Sequence, residues 1–315
     1  MSLKKFFQRE YPIVKQLGWM HLCYSVERVL NIKLHRSNYE IAQKHHRLMR
    51  RFLDKKFESF VAESTIFYAN DSCNSYNQTI WILWLQGEDK APQLVKNCIA
   101  SVRKHANGHS VVVLSVDNLD EYVKFPIFIE EKYQNGIISN QNYSDLIRMY
   151  LLSHYGGLWC DATIFVTNDI PDDVFNYNFF SCKHHVYLGI EDFVPNGKWS
   201  AYLLASKPQN VVTTLEYQLF MLYWKNENHL VDYYLVDYIM DYLYRHHTLC
   251  KKQIDEIPFN NQDVFFVVDH LNEVADDSRF EEIVNLNLFQ KLSWRATPNS
   301  NPDTYYNKLV KLLDY

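Results

Sequence analysis

The chain has 315 residues, 47% hydrophobic and 16% aromatic, with only 8 Gly and 9 Pro; this excludes low-complexity and disordered classes and leaves room for one large α/β domain plus a smaller appendage. Six cysteines, at 23, 73, 98, 160, 182 and 250, form no Cys-x-x-Cys pair, which argues against a zinc cluster or a disulfide framework and for a reducing cytoplasm. The net charge of −5 hides an asymmetry, because residues 1–60 carry 13 Lys/Arg against 5 Asp/Glu, so a basic arm is joined to an acidic body.

The first seventy residues read as helical. Phe6, Phe7, Ile13, Val14, Leu17 and Met20 mark one or two helices. Ser37-Asn38-Tyr39-Glu40 then fits a capping box, followed by an apolar stripe of Ile41, Leu48, Met49, Phe52, Leu53, Phe60 and Val61 against Lys44, Arg47, Arg50, Arg51, Lys55 and Lys56. Such a helix packs its stripe on the body, lies on a polyanion, or does both at once, an anionic membrane surface being preferred to nucleic acid. No run approaches the ~18 apolar residues of a spanning helix and no signal-peptide core is present, so the protein is expected to be neither exported nor integral. The turn-forming stretch Asn70 to Ser75 separates a basic helical segment, 1–75, from the main domain, 76–315.

Strands and helices alternate from there. Ile80 to Leu85 reads as a buried strand, Ala91-Pro92 opens a helix carrying Leu94, Val95, Cys98, Ile99 and Val102, and Val111 to Val116 is a second strand. A right-handed crossover makes these strands parallel and sets Leu85-Gln86-Gly87 at a carboxyl end, where a nucleotide would sit. The single glycine and the acids Glu88 and Asp89 disfavour a dinucleotide cofactor there. A helix over Phe125 to Tyr133 closes at Asn135-Gly136. Next comes the densest stretch of polar function, Ser144 to Thr163. Ile147, Leu151 and His154 follow helical spacing, Gly156 suits a left-handed cap after Tyr155, and Leu158 to Cys160 form a short strand ending at Asp161. Asp145 and Arg148 share a helix face, and the Gly156-Gly157 turn brings that face back toward Asp161. Strands are expected at Ile164 to Val166, Phe179 to Cys182 and Ser200 to Ala205, helices at Val211 to Trp224 and Leu230 to Arg245, and a last strand at Val264 to Val268 after the polar cluster Asn260 to Asp263. The adjacent pairs His45-His46, His184-His185 and His246-His247 have poor chelating geometry and are expected at the surface or in an acceptor groove. No Gly-x-Ser-x-Gly elbow supports hydrolytic chemistry.

Ser144-Asp145-x-x-Arg148, a helix, then Gly156-Gly157-Leu158-Trp159-Cys160-Asp161-Ala162-Thr163 resembles the signature of the capsular polysaccharide synthesis glycosyltransferases. More distantly it is similar to retaining mannosyl- and galactosyltransferases with a Gly-Gly-x-Tyr-x-Asp-x-Asp core and to clostridial glucosylating toxins. Ile80 to Gly87 resembles the family's opening strand and Lys291 to Arg295 its closing segment, so the likeness runs from about Gln78 to Arg295. The resemblance implies a GT-A type fold, a Rossmann-like mixed sheet that binds a nucleotide sugar, with the helical segment added at its N-terminus. It implies hexose transfer from a nucleotide diphosphate sugar, a UDP-hexose being expected, to a lipid-linked oligosaccharide on undecaprenyl diphosphate in bacterial surface polysaccharide assembly, with retention of configuration. An inverting mechanism using Asp263 or Glu191 as base is the rival reaction, and a nucleic-acid-binding protein the rival of another class. The enzyme would work in the cytoplasm, at the inner face of the membrane.

By the same resemblance, Asp145, Arg148 and Asp161 would hold the donor's hexose and ribose, with Leu85, Gln86, Gly87, Ser144, Thr163, Lys291, Ser293 and Trp294 completing the donor site. Relatives with Asp-x-Asp bind Mn²⁺ or Mg²⁺ through the second carboxylate, but that position is Thr163 here, a poor ligand for a hard dication. A divalent cation would then be held by Asp161 with Asp263, Asp269 or His270, or be dispensable, with Lys291 and Arg295 neutralising the phosphates.

Overall fold

A computed structural model describes residues 3–33, 39–63, 78–185 and 193–314. The first half of the capping box, the 70–75 boundary and Glu191 lie outside them. Three helices come first, α1 (Leu3–Leu17), α2 (Trp19–Lys33) and α3 (Tyr39–Glu63). The body opens with β1 (Ile80–Leu83), α4 (Gln93–Lys104) and β2 (Val111–Leu114), then α5 (Leu119–Tyr122), α6 (Ile127–Gln134), α7 (Asn140–His154) and β3 (Gly157–Cys160). After β4 (Ile164–Val166), α8 (Asp173–Asn176), β5 (Phe179–Ser181) and β6 (Leu203–Ser206) come α9 (Val211–Asn226), α10 (Leu235–His246), α11 (Thr248–Asp255), α12 (Phe266–Asp269), α13 (Asp277–Leu286), β7 (Phe289–Lys291) and α14 (Tyr305–Lys311).

The central sheet has the order β2-β1-β3-β6-β5. Its first three strands are parallel and β6 runs antiparallel to both its neighbours, β3 and β5, so it is the mixed α/β sheet expected of this sequence. Register places Trp81 beside Trp159, which aligns the carboxyl ends of β1 and β3. Strands β4 and β7 form a separate ribbon, with Ile164 opposite Lys291, over a small second core of Phe165, Ile283, Leu292 and Leu309.

Local chemistry explains the turn between α7 and β3. Ser139 caps α7 by accepting from the Asn142 amide. At the other end Gly156 and Gly157 have φ of +69° and +92°, and a Cβ on Gly157 would stand 2.3 Å from the Thr79 carbonyl oxygen. Only glycine permits both the left-handed backbone and this approach to the neighbouring strand.

Two elements differ from expectation. The helix expected from Leu230 begins at Leu235, because the Asp232 side chain accepts from the Tyr234 amide at 2.7 Å and holds a turn there. Val264 to Val268 is not a strand: Val264 and Val267 are buried at a spacing of three and lead into α12. The place beside β4 belongs to β7, whose Lys291 amide donates to the Val264 carbonyl.

The apolar stripe of α3 packs on the body. Met49, Leu53 and Phe57 are fully buried in the same core as the central sheet, and Tyr242 of α10 donates to the Phe57 carbonyl. Arg50 grips Asp241 through two bonds of 2.9 and 2.8 Å, Lys56 pairs with Glu227 and Lys44 with Glu27. Arg47, Arg51 and Lys55 remain exposed. Among the described residues no helix is long and apolar enough to cross a membrane.

Candidate active site

The α7–β3 turn brings its three charged residues together. Arg148 donates from Nη1 to Asp145 Oδ1 at 2.9 Å and from Nη2 to Asp161 Oδ1 at 3.3 Å, and its guanidinium lies 5.0 Å from the Trp159 ring centroid. The Trp159 indole N–H donates to the same Asp161 oxygen at 2.8 Å. From β7, 130 residues away, the Lys291 ammonium donates to Asp161 Oδ2 at 2.9 Å and to Thr163 Oγ1 at 2.6 Å.

Two of these charged groups are shielded from water and two, Asp161 and Lys291, are partly open to it. Asp145 and Arg148 are 3% and 6% exposed, so they are not a surface pair along a solvated helix. Burial pushes the Asp145 carboxyl up to about 6 against the pull of Arg148. Burial also opposes the charge of Asp161, but Lys291 and Arg148, with the Trp159 N–H, outweigh it and hold this carboxyl below the usual range. Arg148 Nε is buried without a hydrogen-bond partner.

Asp145, Arg148, Asp161 and Lys291 line one cavity of about 600 Å³. Asp237, Trp199, Tyr202 and Phe265, also in its walls, were not legible as site residues. Asp237 accepts from the Trp199 indole N–H at 3.0 Å, and burial pushes its carboxyl up to about 7, with Asp145 acting the same way. The signal that could have found it is a pair of carboxylates at i, i+4, Asp237 and Asp241, in a helix that is otherwise largely apolar over Leu235 to Leu243. His184, expected at the surface or in an acceptor groove, is 2% exposed and pushed down to about 4 by burial. It is a neutral ring bonded to the Tyr202 hydroxyl at 3.0 Å, and the Tyr202 ring in turn lies 5.4 Å from the Lys291 ammonium. His45, His46 and His247 are also buried, because Asp232, Tyr238 and a helix start give them partners.

The remaining expected donor residues are spread around this centre. Thr163 is buried and reaches it through Lys291, whereas Ser144 is half-buried outside the cavity wall. Leu85, Gln86, Gly87, Ser293 and Trp294 do not line the cavity. Trp294, half exposed, meets Trp84 edge to face at 6.5 Å and so ties the end of β1 to the segment after β7.

The side chains do not fit a divalent cation. Both oxygens of Asp161 are already held, and the Lys291 ammonium is bonded to both Asp161 and Thr163. Asp263 instead pairs with Arg279, and His270 bonds the Phe266 carbonyl and stacks on its ring; neither lines the cavity, although Asp269 does. Among the described residues no group of His, Cys, Asp and Glu is arranged to hold a metal ion.

The family described as "Capsular polysaccharide synthesis protein" matches residues 30–309. Among curated proteins the chain is 23% identical over 251 residues to the O-glycosyltransferase braB of Annulohypoxylon truncatum, covering 74% of this chain and 56% of that one. The chain thus spans about half the length of this curated relative. Among solved structures it is similar to the PaToxG glycosyltransferase (TM-score 0.37, 14% identity, 78% of this chain and 99% of the other) and to the WbbM bifunctional glycosyltransferase in its apo form (TM-score 0.40, 12% identity, 78% and 50%).

Proposed function

The chain belongs to the capsular polysaccharide synthesis family, and from that premise we propose that it is a GT-A type glycosyltransferase. It moves a hexose from a nucleotide diphosphate sugar, a UDP-hexose in the first instance, to a lipid-linked oligosaccharide on undecaprenyl diphosphate in bacterial surface polysaccharide assembly. The observation that carries this reading is the convergence of Asp145, Arg148, Asp161 and Lys291 on one cavity at the carboxyl end of β3. Carboxylates and a guanidinium accept from and donate to adjacent sugar hydroxyls, and their fixed geometry orients the anomeric carbon. Negative charge builds on the departing diphosphate, and a positive group already in place stabilises it without reorganisation. Lys291 fills that role, so activity does not depend on Mn²⁺ or Mg²⁺.

Transfer proceeds with retention. An inverting reaction is the second reading, and Asp237 favours it: a wall carboxylate poised near neutrality is a suitable general base. The anomeric configuration of the product separates the two.

The enzyme works at the inner face of the cell membrane, where its acceptor lies. Arg47, Arg51 and Lys55 face outward from α3, and Trp19, Met20 and Leu30 of α2 are exposed as well, at 70%, 60% and 52%. Met20 lines one surface depression with Arg51 and Lys55, and such a pairing of apolar and basic groups suits an anionic lipid surface.

A thermal-shift screen of UDP-, GDP- and dTDP-hexoses, with Mn²⁺ or with EDTA, tests the donor and the cation together. One nucleotide sugar should raise Tm equally in both conditions, and Lys291→Ala should abolish the shift. A shift that appears only with Mn²⁺ would show that a strong metal site exists, and no shift with any donor would overturn the transferase reading.

A further inference from the structure

A second cavity, of about 410 Å³, lies between α2, α3 and the turn before α10. It shares Phe193, Tyr233 and Tyr234 with the cavity of the charged cluster, so the two cavities adjoin at these rings, with Lys291 lining one and Arg28 the other. The shared aromatics are unusually open: Tyr233 is 55% exposed, Phe193 43% and Tyr234 39%. They brace one another at right angles, with ring centroids 5.5 Å apart for Phe193 and Tyr234 and 4.9 Å for the two tyrosines. Rings left this open in water give up part of the stabilisation that burial would bring, and a preformed wall of three suits a ligand with apolar faces.

The floor of this cavity supplies the opposite chemistry. His45 pairs with Asp232 at 2.7 Å and stacks on Tyr24 at 4.1 Å, and His46 bonds the Tyr238 hydroxyl at 2.7 Å. Arg28 and Asp232 balance each other in charge, so the cavity selects neither for a phosphate nor for a cation. A pyranose has this dual character, with C–H faces that stack on aromatic rings and equatorial hydroxyls that bond imidazole, carboxylate and guanidinium groups.

We infer that the cavity between α2, α3 and the Asp232–Tyr234 turn is the acceptor subsite, and that it takes the terminal pyranoses of a glycan by stacking on Phe193, Tyr233 and Tyr234. The assignment rests on the transferase reading above. Asp145, Asp237 and Lys291 line one cavity, and Tyr233 and Tyr234 are common to that cavity and to this one, so a glycan stacked on these rings lies next to the donor site. The helical segment thereby contributes a wall of the acceptor site rather than only an attachment.

Saturation-transfer NMR with the methyl pyranosides of glucose, galactose, mannose and rhamnose, and with uridine as a control, tests the inference. At least one pyranoside should give a signal that falls at least fivefold in Tyr233→Ala/Tyr234→Ala and persists in Tyr233→Phe/Tyr234→Phe, which keeps the rings and loses the hydroxyls. No signal from any pyranoside, a signal that survives the alanine variant, or loss of the uridine signal in its place would overturn the acceptor assignment. Failure of the transferase reading shows separately, as a wild-type protein that no nucleotide sugar stabilises.

Discussion

Two arginine–carboxylate clusters in this molecule use the same ingredients for different ends. Between α3 and α10, Arg50 and Arg245 share Asp241, and Arg245 also holds Asp54 at 2.8 Å. At the end of β3, Arg148 and Lys291 share Asp161, and Arg148 also holds Asp145. Each cluster has two cations and two carboxylates. The first is packed between helices and its bonds are short; the second borders a cavity of about 600 Å³, contains a contact of 3.3 Å, and leaves Arg148 Nε unpartnered. The charges of the first cluster are arranged around each other, as a clamp, whereas those of the second are arranged around space that a ligand could enter.

The comparison breaks most directly at the shared aspartates. Asp161→Asn should lower transfer by roughly 10²–10³-fold with little change in Tm, while Asp241→Ala should cost about 2–4 kcal/mol of stability, less than a fully buried pair because Arg50 reaches solvent. Activity of the Asp241 variant per folded molecule should stay near normal. Turnover assays and urea melts of the two proteins give the answer, and a swap of the two phenotypes would sink the distinction.

Arg148→Lys comes next. A point charge cannot bridge Asp145 and Asp161 as a planar fork does, so lysine should lose about 10²-fold in transfer, nearly as much as Arg148→Ala. Recovery of most activity by lysine would mean that only charge is needed there.

Asp237 sharpens the comparison through pH. Its folded pKa, about 7, lies above the ordinary carboxylate value. Below pH ~4 both folded and unfolded states are protonated; between there and pH 7 only the unfolded state gives up its proton, so stability falls as pH rises through this window. Asp237→Asn should therefore raise stability by about 1–3 kcal/mol at pH 8, with the gain vanishing toward pH 4. Thermal melts at both pH values measure it, and an equal effect at both would remove the buried-carboxylate explanation.

The smallest effect concerns the basic residues of α3 that no clamp uses. Replacing Arg47, Arg51 and Lys55 with glutamine should weaken sedimentation with anionic liposomes by about 1 kcal/mol per residue, leaving Tm and transfer to a soluble acceptor unchanged. Arg50→Gln should do the reverse, lowering Tm and sparing the liposomes. If the triple variant sediments like the wild type, α3 is a packing element with a solvated face.

What the sequence determined by itself is local. The helical spacing on α7, the two glycines that only glycine geometry permits, the short strand ending at Asp161 and the amphipathic period of α3 all follow from dihedral preference and periodicity over fewer than about twenty residues. Asp145, Arg148 and Asp161 were legible because one turn brings them together. The tertiary structure alone decided what meets across long separations: Lys291 on Asp161 from 130 residues away, Asp237 in the cavity wall, His184 buried as a neutral ring, and the α3 stripe covered by the body. It also decided where local preference lost, since Val264 to Val268 would suit a strand but β7 holds the place beside β4. The reason is that period and propensity say which face of an element is apolar, whereas the partner that covers the face, and the charges left open around a cavity, depend on how all the elements fill the same volume.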